Sequence, residues 1–352
     1  NARHRDSAPT AHTAERYVAF KTQHMKQLTL ILFSILNILP CQAQSSGTNN
    51  NVPTESCSNN FKITIDTLNI SIDGYLKKVV FFKGNYYAMF ESDRKNTTQR
   101  FKKMIVFSPT GDFIEDAFIP KEIQDMPHYD LRVENGSLFV KESQFEKENF
   151  VLGTYVADFK QTKTRELKFY EDEYFDIYAT CNGEWGGTIY FKDKKTNESY
   201  EAASTCPIVI NKINNEYYVT NYMGHMMGFA SVLKIPDPTK LEKSDFAFDR
   251  QEGSQYYKGV VTLLDTIDFY IPTSFVADKQ LFHLYSDNNG TYIGIIEDGK
   301  INPIYKFDFA FYAHFNQHLD NGKQLLTYRF KDCEKSGILI IDEKRFEFYR
   351  QK

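Results

Sequence analysis

A chain of 352 residues with 41% hydrophobic and 15% aromatic side chains is long enough to bury one large core or a series of repeated ones. Lys and Arg number 42 against 46 Asp and Glu, with no basic tract, so the electrostatic footprint of a nucleic-acid binder is missing. The same balance argues against docking on an anionic membrane surface.

The first methionine is Met25. Residues 1–24 show no apolar periodicity and read as an upstream extension that is not native. Lys26, the apolar run Leu28 to Leu39 and the exit "PCQA" read as a secretory signal peptide over 25–43. The run of about 12 residues is too short for a membrane span, which needs roughly 20. Cleavage after Ala43 starts the mature chain near Gln44. A lipid anchor on an acylated Cys41 is the alternative, though Pro40 directly before it fits poorly. Either reading exports the protein to the periplasm, the cell surface or the medium. Residues 1–43 hold five of the 42 basic and two of the 46 acidic residues, leaving 37 against 44, a formal charge of −7.

Four cysteines follow: Cys57, Cys181, Cys206 and Cys333. An even number in an exported chain points to disulfides, with three pairings open. Cys181–Cys206 is the local pair, and Cys57–Cys333 would tie the two ends together. Four free thiols is the competing reading. No spacing fits a Cys-x-x-Cys zinc or redox pattern.

Residues 44–60, "QSSGTNNNVPTESCSNN", are polar and turn-rich, a flexible leader. From Phe61 to the end, short runs rich in Tyr, Phe, Ile and Val favour strands. Helical candidates such as Pro120 to Met126 and Asp237 to Asp245 amount to single turns. The strand runs recur in one order, beginning at Gly84, Asn135, Gly186, Asn214, Asp278 and Asn321. Repeats of about 48 residues, each of roughly four strands, are the signature of an all-β fold, the β-propeller. One four-stranded sheet exposes both faces, and stacking sheets radially buries them. Residues 61–352 therefore predict a propeller domain of six four-stranded blades, with five or seven still compatible. The spacing is uneven between Gly186 and Asp278, so blade three is stunted or the register slips there.

"VFSPTGDFIEDAFIP" (Val106 to Pro120) and "NEYYVTNYMG…SVLKIPDP" (Asn215 to Pro238) share a pattern of strand, Gly/Asp turn and returning strand. In this the chain resembles NHL-like six-bladed propellers exported by Bacteroidetes-type bacteria. The likeness spans nearly all of 61–352, is one of pattern, and lacks the Asn-His-Leu tripeptide. It implies fold and export, not an activity.

In a propeller the starts of inner strands and certain loops converge around one channel mouth. His128, Asp130, Asp176 and His314 are the candidate polar rim, with His225 in a connecting loop and Asp73 at a comparable place. Separate surface or capped histidines are the bland alternative. "YMGHMMGFA" (Tyr222 to Ala230) suggests a soft-metal cluster in isolation. Adjacent loop residues of alternating direction do not all face one ion, so no metal or cofactor is expected. Trp185, between glycines, is a candidate stacking platform or a packing residue against the next blade. No Gly-x-Ser-x-Gly elbow, His-Glu-x-x-His, P-loop or dinucleotide fingerprint occurs. "SDNNGTYIG" and "SPTGDF" read as hairpin turns. The leading expectation is a non-catalytic module binding a glycan, peptide or protein partner through one face of the disc. The alternative is a channel-face hydrolase or lyase using His128, His225 or His314, with or without a divalent metal.

Overall fold

The computed structural model describes residues 61–352 apart from 71, 73, 94–99, 143–148, 153–159, 163–166, 225–227, 247–251 and 332–334. Strand β1 (Lys62–Leu68) comes first. Blade 1 is β2 (Tyr75–Phe82), β3 (Asn85–Asp93), β4 (Arg100–Phe107) and β5 (Phe113–Ala117). A one-turn helix α1 (Lys121–Asp125) leads to blade 2: β6 (Tyr129–Glu134), β7 (Ser137–Glu142), β8 (Asn149–Leu152) and β9 (Lys160–Thr162). Blade 3 is β10 (Tyr170–Glu171), β11 (Phe175–Cys181), β12 (Gly187–Asp193) and β13 (Ser199–Ala203). Blade 4 takes β14 (Pro207–Ile213), β15 (Glu216–Met223) and β16 (Phe229–Ile235); after β17 (Glu242–Lys243) it adds β18 (Val261–Thr266). Blade 5 is β19 (Tyr270–Ala277), β20 (Gln280–Asp287), β21 (Gly290–Glu297) and β22 (Lys300–Lys306). Blade 6 is β23 (Phe311–His318), β24 (Gln324–Phe330), β25 (Ser336–Asp342) and β26 (Arg345–Gln351). Six antiparallel meanders in chain order make this a β-propeller.

Local turn chemistry sets the hairpins. Lys83–Gly84, Asn135–Gly136, Asn214–Asn215, Asp278–Lys279 and Asp298–Gly299 all have positive φ at both positions. Two such residues between paired strands make the primed turn whose twist matches the strands it joins. Register follows directly, with Phe82 opposite Asn85 and Ile213 opposite Glu216. The "SDNNG" stretch is likewise a turn, where Asp287 Oδ1 accepts the amides of Asn289 and Gly290.

Alternate side chains of one strand serve two neighbours. Met89 of β3 packs with Met104, Ile123 of α1 and Leu131 of blade 2. Tyr86, Ala88 and Phe90 of the same strand pack with Leu325 and Ile338 of blade 6. Blades 5 and 6 share an aromatic seam in which Phe307, Phe311, Phe346 and Phe348 meet edge to face. Such geometry adds to the area term, and it explains where much of the aromatic content goes. Blade 2 meets blade 3 where the Arg132 guanidinium lies 5.9 Å from the Phe169 ring. The ring closes through side chains on blade 6 that cap the backbone of β2: Ser336 Oγ accepts Leu76 N, and Gln317 Oε1 accepts Phe81 N. β1 runs parallel to β26 and adds a fifth strand to the outer edge of blade 6.

The uneven repeat now has its cause. "GGTIYF" is the third strand of blade 3, whereas the segments matched to it in the other blades are second strands; the second strand of blade 3 is β11. The long interval that follows is an insertion between β16 and β18, whose β17 pairs with β13 on the outer edge of blade 3. The insertion then packs onto the turn before β12. A Cβ on Gly253 would fall 2.1 Å from Gly187 N, so only glycine permits that approach.

Candidate functional site

At the end of the channel where inner strands begin lies a cavity of about 370 Å³, walled by residues of all six blades. That size is ordinary for a small-ligand pocket. Lys78 comes from β2, Asp130 and Arg132 from β6, and Lys141 from β7. Lys168 precedes β10, while Tyr270 and His314 come from blades 5 and 6.

The two-residue strand period puts Asp130 and Arg132 on one face of β6. Lys78 Nζ stands 2.7 Å from Asp130 Oδ1, and the Arg132 guanidinium 2.9 Å from Oδ2. Burial alone would raise the Asp130 carboxyl. Lys78, Arg132 and Lys141 outweigh it and bring it down to about 2. Lys168 pairs with Glu171 and lies 3.4 Å from Asp176. Burial weakens its charge, but those two carboxylates outweigh it and hold the ammonium above the usual lysine range.

Tyr270 donates its hydroxyl proton to the Ala313 carbonyl and stands 3.0 Å from His314 Nδ1. The enclosing wall, then the ammonium groups of Lys78 and Lys77, hold the imidazole below the usual histidine range. The Cys181–Cys206 disulfide forms another part of the wall and joins the end of β11 to the start of β14.

Beside this cavity a second, shallower one of about 170 Å³ shares Tyr222 and Tyr270. Tyr312 completes its aromatic side, with Tyr222–Tyr270 and Tyr270–Tyr312 ring separations of 4.5 and 6.0 Å. Asp268, Asp287 and Asn288 supply its polar side. Lys331 Nζ reaches the Asn288 carbonyl at its edge, 6.0 Å from the Tyr312 ring.

Asp130 and His314, expected at the rim, stand on the cavity wall. Asp176 lies on β11, the second strand of its blade, and reaches the site only through Lys168. His128 is exposed just ahead of β6 and does not line the cavity, because the strand turns its face inward only from Asp130 on. Trp185 is 68% exposed in a 3-10 turn (Gly183–Trp185) and belongs to none of the buried core clusters among the described residues. His225, Met226, Met227, Asp73, Cys57 and Cys333 lie outside the described residues, as does the Cys57–Cys333 pairing. Among the described residues no three His, Cys, Asp or Glu side chains gather as metal ligands.

Lys78, Arg132, Lys141, Lys168 and Tyr270 escaped the sequence reading. The available signal was charge inside a strand otherwise apolar: at every second place in "YDLRVE", and as an adjacent pair in "YLKKVVFF". One polar pair does mimic a catalytic dyad: Ser274 Oγ is 2.7 Å from His283 Nδ1. Both are sealed, with Ser274 0% and His283 1% exposed, so no substrate reaches them.

The sheet order and the channel cavity together define a six-bladed β-propeller with an internal ligand-sized site. No family model and no curated protein matches the chain. Among solved structures it is similar to the β-propeller domain of the trilobed protease from Pyrococcus furiosus, at 14% identity and a TM-score of 0.34, over 78% of this chain and 94% of that one. Oligopeptidase B from Leishmania major gives 8% identity and a TM-score of 0.29 over 78% of this chain. The chain spans about half the length of that enzyme, covering 48% of it. Likenesses this distant carry no argument about activity, and the fold rests on the strand order itself.

Proposed function

We propose that this is an exported binding module whose ligand enters the propeller channel at the end where inner strands begin. One observation carries the reading: six blades wall a single cavity and four of them line it with a charged or imidazole side chain. Fixed scaffolds that converge a few polar groups in a concave site are how ligand pockets are built. The Cys181–Cys206 bridge supports an oxidising compartment. A place beside exported NHL-like bacterial propellers belongs to the same proposal. The test is a thermal-shift screen of sugars, peptides and small anions on the full chain. Hits should raise the unfolding temperature of the wild type and leave His314→Ala and Arg132→Gln unmoved. Hits that shift both variants equally place the ligand elsewhere and end the reading.

A second reading is acid–base catalysis in the same cavity, favoured by the Tyr270–His314 contact of 3.0 Å. Product formation from a bound ligand, abolished in His314→Asn while binding persists, would establish it. Binding without turnover leaves the module alone.

A further inference from the structure

The charge on the cavity wall opposes that of the protein. The whole chain has four more acidic than basic residues, at 46 against 42. The lining nevertheless brings Lys78, Arg132, Lys141 and Lys168 together with one acid, Asp130, while Glu171 and Asp176, which are not on the lining, pair with Lys168 and leave a smaller cationic excess. A cationic cleft with protein walls focuses field and raises the local concentration of anions, even on an acidic protein. Asp130 meets one cation on each oxygen, so it holds the Arg132 fork and the Lys78 ammonium apart in fixed positions. Guanidinium and ammonium groups fixed in this way suit a carboxylate.

The adjoining shallow cavity has opposite chemistry. Tyr222, Tyr270 and Tyr312 offer ring faces and edges, and Asp268, Asp287 and Asn288 offer hydroxyl acceptors. Two aspartates disfavour a second carboxylate there. The shared wall of Tyr222 and Tyr270 makes the two cavities neighbouring subsites. We infer that the ligand is an acidic carbohydrate, with the carboxylate of one sugar unit in the cationic channel and the hydroxyls of the next against the tyrosine-lined subsite. This inference rests on the channel-binding reading and names its ligand class.

The test is isothermal titration of the full chain with glucuronosyl-xylobiose, one acidic unit on two neutral ones, its carboxyl-reduced neutral counterpart, hexaglutamate and inorganic phosphate. The acidic trisaccharide should bind, more weakly as salt rises, and the neutral trisaccharide should bind at least about tenfold more weakly. Arg132→Gln and Lys168→Gln should each weaken the acidic trisaccharide about tenfold or more. Tyr312→Ala should weaken the acidic trisaccharide and leave glucuronate itself unchanged; since Tyr312 is 42% exposed, it decides the matter even if a channel variant fails to fold. Equal binding of the neutral sugar, or no binding of the acidic trisaccharide, overturns the inference. Binding of hexaglutamate or phosphate alone, lost in Arg132→Gln, overturns the carbohydrate but keeps the channel as the site. Binding of the acidic trisaccharide that none of the three substitutions weakens overturns both.

Discussion

Two polar clusters meet where blades 5 and 6 supply residues to both, and they do opposite work. The sealed one joins blades 4, 5 and 6. Gln324 Nε2 donates to the Ser274 carbonyl and to Asn211 Oδ1, and Thr273 Oγ1 donates to Gln324 Oε1. Thr220 and Ser274 share a hydroxyl contact of 2.6 Å, and Ser274 meets His283. Every partner is neutral and excluded from water. The open cluster is charged and faces the channel: Lys78, Asp130, Arg132, Lys168 and the Tyr270–His314 pair. The histidine–hydroxyl contact that each contains does not separate them. Access to water does. A buried polar set must be satisfied or it costs stability, whereas a wet one is free to exchange partners with a ligand.

The disulfide borders the open cluster and should give the largest effect. It closes a loop with a sequence separation of 25. Replacing both cysteines by serine should cost about 3 kcal/mol of unfolding free energy by chain-entropy reasoning, measured by urea titration. A loss near zero would show that the blade 3–4 junction is held by packing alone.

Next comes the direct contrast. Gln324→Ala strands the groups it joins and should cost about 2 to 3 kcal/mol while leaving ligand binding intact. Arg132→Gln should cost about 1 kcal/mol and weaken binding about tenfold or more. If the two variants exchange these outcomes, the division into sealed and open clusters is wrong.

Acid stability separates them again. Asp130 is brought to about 2, below its ordinary value, so its ion pairs contribute stability that is present above pH 4. That contribution, about 2 kcal/mol, should be lost as pH falls from 4 towards 2. Asp130→Asn should flatten this limb of the stability–pH curve, and an unchanged limb would show the pairs to be neutral in effect.

The smallest effect concerns the two histidines. Burial pushes His283 down to about 3, so the unfolded chain takes up its proton first. The stability His283 contributes is present above pH 6.5 and declines as pH falls below it. The stability difference between wild type and His283→Asn should therefore shrink from pH 6.5 downward. His314→Asn should show the same sign over a narrower range, its decline levelling off near pH 4 where that of His283 runs on towards 3. Declines that end at the same pH would mean that the channel desolvates its histidine as fully as the core does.

Much of this was legible in order of physical range. Positive-φ pairs such as Asn135–Gly136 and Asn214–Asn215 announce their hairpins, because few other residues tolerate that backbone. The local Cys181–Cys206 bridge was legible too, since few residues separate its ends. Blade 3 was misread by one strand because its innermost strand is only Tyr170–Glu171, too short to show periodicity. The inserted β17 pairs backwards with blade 3, a contact that no run of residues in blade 4 reveals. At the site, Asp130 and His314 are legible from their places near the starts of inner strands, while Asp176, at what reads as a comparable place, belongs to a second strand.

The sequence by itself determined the strand runs, their turns and the repeat that stacks them. Those follow from backbone sterics and from apolar faces that no single sheet can bury. Only the tertiary structure decided which charges share a cavity. Lys78, Arg132 and His314 come from the inner strands of three blades, and Lys168 from the segment just ahead of a fourth. Closure of the ring brings them together, and ring closure depends on inter-blade packing that no local pattern records.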